Sequence, residues 1–194
     1  MPPLVVDVGA NVGYFTLLSL ALGCRVTALE PQQHIVPLVK SSLALNHPSF
    51  ARRVTWLPCA AADESGQHLE LTQPLPGNGR DTSDWGQVGV VQASASPPAP
   101  ACVHPSSSEM PASACPSPSS VCALSLDDSI GSSDDVLLLK IDVEGFEANV
   151  IAGSQRLLRQ RQARNILLEV HEGGHALQEK VLGQIMGHGY SCLQ

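Results

Sequence analysis

Basic side chains are scarce in this sequence, with 11 Lys and Arg against 18 Asp and Glu and a formal net charge of −7. A protein that grips nucleic acid without reading its sequence needs a Lys/Arg surface to displace counterions from phosphates, so that class is disfavoured. Paired cysteines are also missing. Cys24, Cys59, Cys102, Cys115, Cys122 and Cys192 form no CxxC and no regular spacing, so neither a zinc ribbon nor a disulfide framework follows. No apolar run is long enough to cross a bilayer. The longest near the N-terminus, Val12 to Leu22, follows Asp7 and a glycine turn where a signal peptide would have a basic stretch. The expectation is a soluble, cytoplasmic protein in a reducing compartment, with an organellar address left open.

What is present suits one folded domain: 194 residues, 43% of them hydrophobic. Its composition shifts abruptly between Ala93 and Ser120. Pro, Ser and Ala make up 22 of those 28 residues, and Glu109 is the only charge. Such a stretch has too little apolar area to offset its ordering entropy, and it reads as an unstructured insertion at about 93–120 in a single domain spanning 1–194.

Around the insertion, strand-like and helix-like segments alternate. Leu4–Gly9 is a short apolar run ending in glycine, as a buried parallel strand does. Val12–Leu22 reads as a helix, Arg25–Glu30 as a second strand, and Ile35, Leu38, Val39 and Leu43 as a helical stripe. Val54–Ala61 is a third strand and Gln67–Thr72 an edge strand. Beyond the insertion come a strand over Val136–Val143, a helix over Glu147–Arg159 and a fifth strand over Asn165–His171. A helix marked by Leu177, Val181 and Ile185 follows, then the start of a sixth strand at Tyr190–Leu193. The alternation predicts an α/β fold with a doubly wound, mostly parallel, Rossmann-like sheet.

Ligands of such sheets lie beyond the carboxyl ends of the strands, so the residues at each strand end matter most. The first strand ends in Asp7-Val-Gly-Ala-Asn-Val-Gly13, where Gly9 and Gly13 allow a sharp turn and close backbone approach. The second ends in Glu30, a carboxylate able to accept both hydroxyls of a ribose. A dinucleotide site requires Gly-x-Gly-x-x-Gly, and the central glycine is missing here. Asp7 would also oppose a pyrophosphate, whereas it suits a cationic amino-acid group. S-adenosylmethionine therefore fits better, the alternative being an ordinary strand-to-helix turn.

The fourth strand ends in Lys140-Ile-Asp-Val-Glu-Gly-Phe-Glu147. Alternation puts Lys140 and Asp142 on one face and Ile141 and Val143 on the other. Four ionisable side chains after a Val/Leu run suggest a reactive site, with a Lys140 ion pair closing the strand end as the alternative. His171-Glu172-Gly173-Gly174-His175 matches the zinc-protease pattern H-E-x-x-H, which needs both histidines on one helical face. Two adjacent glycines would cost roughly 2 kcal/mol inside a helix, so the motif reads as a decoy, and His171 as a residue at the end of the fifth strand.

Asp7-Val-Gly-Ala-Asn-Val-Gly-Tyr-Phe-Thr16, Glu30-Pro31, Leu126-Asp127-Asp128 and Lys140 to Glu147 together resemble the motif series of FkbM-type methyltransferases, a class I S-adenosylmethionine-dependent group. Ala62-Asp63 followed by Gly66 resembles the segment after the family's third strand. The resemblance implies methyl transfer from S-adenosylmethionine, most often to a hydroxyl oxygen of a small molecule, sugar or lipid. It implies that Asp7, Gly9, Asn11 and Gly13 cradle the methionine part of the cofactor, that Glu30 holds the ribose, and that Asp63 approaches the adenine. The general base would be Asp142, with His171 and Glu144 next. Base catalysis ranks above metal activation because no spaced third ligand is evident.

Compared with a full class I sheet, the pattern reads as trimmed at both ends, without a helix before the first strand or a seventh strand. A non-catalytic, methyltransferase-like binding protein is therefore the alternative function. Nucleic-acid methylation ranks third, because Asp142-Val-Glu replaces the Asn/Asp-Pro-Pro-aromatic motif that grips a flipped base.

Overall fold

The computed structural model describes residues 1–72, 89–92, 120–169 and 175–193. Five strands form the main sheet: β1 (Leu4–Val8), β2 (Arg25–Leu29), β3 (Val54–Leu57), β8 (Val136–Ile141) and β9 (Ile166–Leu168). All pair in parallel, in the order β3-β2-β1-β8-β9. Four further strands, β4 (Ala60–Ala61), β5 (His68–Thr72), β6 (Gly89–Gln92) and β7 (Ser120–Leu124), form a second sheet in the order β4-β7-β5-β6. The fold is α/β and Rossmann-like.

The central strand explains the layering. Leu4, Val6 and Val8 point into one hydrophobic cluster, while Val5 points into another on the opposite face. The Val5 face is covered by α1 (Tyr14–Ala21), α2 (Val36–Leu45) and α3 (Ser49–Arg53), through Leu17, Leu20, Leu43 and Phe50. On the other face lie α4 (Leu126–Ser129), α5 (Glu147–Ala152), α6 (Gln155–Arg159) and α7 (His175–Gly187), through Leu126, Ile151, Leu157, Val181 and Ile185. A strand buried on both faces is mostly apolar on both, which is why β1 and β8 read as hydrophobic runs interrupted only by Asp7 and Lys140, which pair with each other. Among the described residues no helix is long and apolar enough to cross a membrane.

Several boundaries differ from the sequence reading, each for a local reason. Val54–Ala61 is two strands in two sheets, because Pro58 has no N–H for a ladder and the chain turns there. The helix expected over Glu147–Arg159 breaks after Gly153, whose missing Cβ would stand 1.9 Å from the Ala62 carbonyl oxygen. The new helix, α6, is capped from a distance. The Asp127 carboxylate accepts the N–H groups of Arg156 (2.7 Å) and Leu157 (2.9 Å), satisfying donors that a helix start leaves open. Tyr190–Leu193 is not a strand; the Tyr190 hydroxyl donates to the Ala163 carbonyl at 2.8 Å and its ring lies against Arg161. The fifth strand covers only Ile166–Leu168 of the expected Asn165–His171. The expected insertion lies outside the described residues except for Ser120, which opens β7.

Candidate active site

The strand order reverses between β1 and β8, and the carboxyl ends of these strands border an open cleft of about 560 Å³ including its mouth. Gly9, Asn11, Glu30, Asp142 and Glu144 line it together, with Phe146 and the β4 alanines forming its apolar wall. Val143 and Phe146 also pack on Ala60, Leu69 and Val121, so the second sheet buttresses that wall.

The turn after β1 brings backbone to the cleft. Gly9 has φ +74°, and a Cβ there would stand 1.7 Å from the Asp142 carbonyl oxygen. Only glycine lets the β1 turn and the end of β8 come so close. Asn11 also has a left-handed backbone, φ +49°, as does Glu144 at +52°. Two non-glycine residues in this conformation at one cleft mark stored strain of the kind that collects at functional sites. The Asn11 side-chain oxygen is buried and accepts no hydrogen bond.

Glu30 is only 3% exposed although it borders the cleft. Its carboxylate accepts the N–H of Asn11 and the N–H of Gln32, each at 2.9 Å. The side chain thus clamps the glycine turn to the end of β2. Each oxygen has a second lone pair, so the clamp leaves acceptor capacity toward the cleft. Burial raises the Glu30 pKa above its ordinary value of 4.5, opposed by those two backbone donors and, more weakly, by Lys140.

That shift sets a pH dependence. The folded state holds the Glu30 proton more tightly, so its contribution to stability is complete below 4.5 and declines as pH rises through the raised folded pKa. Glu30→Gln cannot ionise. Urea melts at a series of pH values should show the stability advantage of wild type over Glu30→Gln shrinking as pH climbs above 4.5. An advantage that grows with pH would contradict this.

Beneath the turn lies a cation. Lys140 is 4% exposed, and its ammonium donates to the Gly9 carbonyl at 2.8 Å. The same Nζ is 3.2 Å from Asp142 Oδ2 and 3.4 Å from Asp7 Oδ1, with the Phe15 ring 5.4 Å away. Asp7 is fully buried and accepts the Thr16 hydroxyl of α1 at 2.6 Å. A buried ion network of this kind adds little net stability, but removing one member leaves the others uncompensated. Its geometric effect is to hold Asp142 against the glycine turn. Asp142 keeps 26% of its side chain exposed, so it meets both Lys140 and the cleft.

The sequence matches the family described as Methyltransferase FkbM domain over residues 7–191. The chain belongs to the FkbM methyltransferase family. Searches of curated proteins and of solved structures found no significant match.

In this FkbM domain the structure gathers five of the sequence-derived candidates: Gly9, Asn11, Glu30, Asp142 and Glu144. Of the other four, the three described ones lie elsewhere. Asp7 reaches Thr16 and Lys140 under α1 and does not line the cleft. Gly13, with φ +85°, begins α1, and the Val39 side chain lies nearest its missing Cβ. Asp63 follows β4, with its backbone against Gly153 and outside the cleft lining. His171 lies outside the described residues, as does the H-E-x-x-H segment apart from His175, which opens α7. Among the described residues no three His, Cys, Asp or Glu side chains cluster to hold a metal ion. The sequence reading missed the apolar wall, since Phe146 and the β4 alanines carry no chemical signature. Strand alternation alone puts Lys140 on the same face as Asp142, but its bond to the Gly9 carbonyl depends on the β1–β8 register.

Proposed function

We propose that this FkbM domain uses S-adenosylmethionine to methylate a hydroxyl oxygen on a small molecule, sugar or lipid. The observation that carries the reading is the meeting of Glu30, the side-chain-free Gly9 and Asp142 at one cleft on the strand-order reversal. When bound, S-adenosylmethionine supplies an electrophilic methyl group on a sulfonium.

The residues present fit that cofactor. The buried, unpartnered Asn11 oxygen is an acceptor suited to an amino-acid ammonium. Glu30 retains lone pairs for ribose hydroxyls, and Gly9 lets the Asp142 backbone close on the turn that lines the cleft. Phe146 and the β4 alanines give an apolar surface for a flat ring. Asp7 serves one step back, through Lys140 and Thr16.

An alcohol is a poor nucleophile until its proton is leaving, and Asp142 is the group that would take that proton. Lys140 engages Oδ2 and fixes the carboxylate's orientation. Glu144, one residue beyond Val143 on the same rim, is the second candidate, and His171 the third. Alignment of the acceptor with the donor would supply most of the acceleration.

Calorimetry with S-adenosylmethionine and its demethylated product tests the reading. Both should bind the wild type, and Glu30→Ala should weaken binding by about tenfold or more, as expected when hydrogen bonds to a charged acceptor are lost. Absence of binding by folded wild-type protein would overturn the proposal.

A further inference from the structure

The face built by α1, α2 and α3 differs from the other described residues in two respects. First, its surface is apolar. Tyr14, Leu18 and Leu22 recur every four residues along α1 and just past its end, and stand 68%, 43% and 75% exposed. Leu38 and Leu45, seven residues apart on α2, stand 53% and 87% exposed. None of these belongs to the core cluster beneath.

Second, the sign of charge inverts. From Val8 to Ala62 the chain carries Arg25, Lys40, Arg52 and Arg53 against one acid, Glu30, which is buried. The whole chain has a net charge of −7. Arg25 pairs with Asp134, and Arg53 reaches the Cys24 carbonyl and the Ser49 hydroxyl. Lys40 on α2 and Arg52 on α3 are exposed.

We infer that this face docks the protein on an anionic lipid bilayer. Exposed leucines can enter the boundary between headgroups and acyl chains, while cations meet the anionic headgroups, and each effect reinforces the other. A second copy of the chain fits less well. A two-fold interface would bring the Lys40 and Arg52 of both copies to the same patch, with no exposed acid between Val8 and Ala62 to compensate.

The patch also begins at the cleft. Asn11 lines the cleft, and the next residue, Val12, stands 45% exposed. Docking through α1 therefore sets the cleft mouth close to the headgroups, which selects an amphiphile whose hydroxyl lies at that level. This statement about the acceptor rests on the proposed methyl transfer; the docking does not.

Flotation with phosphatidylcholine vesicles, with and without phosphatidylserine and with no methyl donor, reads docking independently of catalysis. The wild type should float with the phosphatidylserine vesicles and much less with the neutral ones. Leu18→Glu/Leu22→Glu should cut that partitioning at least about tenfold, because two inserting side chains become anions. Lys40→Glu/Arg52→Glu should cut it by about tenfold or more on the anionic vesicles alone, and added salt should do the same. Thermal unfolding monitors each variant's fold, and Lys40→Glu/Arg52→Glu decides if the leucine variant does not fold. The inference is overturned if the wild type fails to float with anionic vesicles, or if folded variants float as it does. A dimer that Leu18→Glu/Leu22→Glu dissociates, without any flotation of the wild type, would assign the face to a second copy. Donor binding by calorimetry is a separate readout, so failure of either proposal is recognisable without the other.

Discussion

Asp142→Asn should lower kcat for methyl transfer by about 10²–10⁴-fold, the usual worth of a positioned general base. Asparagine has nearly the same shape and retains an oxygen that Lys140 can approach, so the glycine turn should stay in place. What it loses is the ability to take the hydroxyl proton. Donor affinity by calorimetry should therefore remain close to wild type while initial rates with a labelled methyl group collapse. That split separates loss of chemistry from loss of the cofactor. Unchanged rates would remove Asp142 from the role of base, and Glu144→Gln and His171→Asn would then be the variants to compare. Donor binding by the wild type with no transfer to any hydroxylated acceptor would instead favour the non-catalytic binding protein.

The second large effect is expected at Gly9→Ala. A Cβ at this position would stand 1.7 Å from the Asp142 carbonyl oxygen, and the backbone there has φ +74°. Either the turn or the end of β8 has to move, so the glycine turn and Asp142 cannot keep their spacing. The cost should be about 1–3 kcal/mol of stability or more, from overpacking together with left-handed strain. Donor binding should fall below detection. Gly13→Ala is the control. Its nearest neighbours are the Val39 methyls at 3.6 Å and 3.7 Å, so it has room and bears only the left-handed backbone penalty, roughly 1–2 kcal/mol. Calorimetry and thermal unfolding of the pair check this, and a Gly9→Ala protein that binds donor like wild type would refute the close-approach argument.

The main sheet was legible because its central strands are largely buried on both faces. Leu4–Val8 and Val136–Ile141 have no polar alternation to confuse with a surface strand, and Gly9 and Glu30 mark where two of the strands stop. The second sheet was legible only in part: Gln67–Thr72 reads as an edge strand, whereas β5 is paired on both sides, by β7 and β6. β7 pairs with β4 and β5 across the Ala/Ser/Pro-rich stretch, and no local pattern in Ser120–Leu124 reveals which partners it will meet. The break between α5 and α6 was hidden for a similar reason. An apolar helical stripe runs through Gly153, and only the Ala62 carbonyl beside it and the remote Asp127 carboxylate make the interruption favourable.

The site divides in the same manner. Spacing located Asp142 and Glu30, because a carboxylate at the end of an apolar strand is conspicuous. Asp7 was equally conspicuous, yet its side chain points under α1, where it bonds Thr16 and pairs with Lys140. Asn11 shows the opposite: asparagine tolerates a left-handed backbone, but only the fold shows that Glu30 holds it there by accepting its N–H.

The seam between β1 and β8 has a consequence for how the chain reaches this structure. Every parallel neighbour on the β2 side of β1 is encoded before residue 60, whereas its other neighbour begins at Val136. The bond from Lys140 to Gly9 spans 131 positions. A chain emerging from the ribosome thus carries the cleft residues Gly9, Asn11 and Glu30 on a sheet whose central strand still has one open edge. Non-local pairing of this kind makes folding slow and leaves unpaired strand edges exposed to other chains meanwhile. The contact that brings Asp142 to the glycine turn is also the contact that closes this edge, so assembly of the cleft and protection from aggregation arrive in one step.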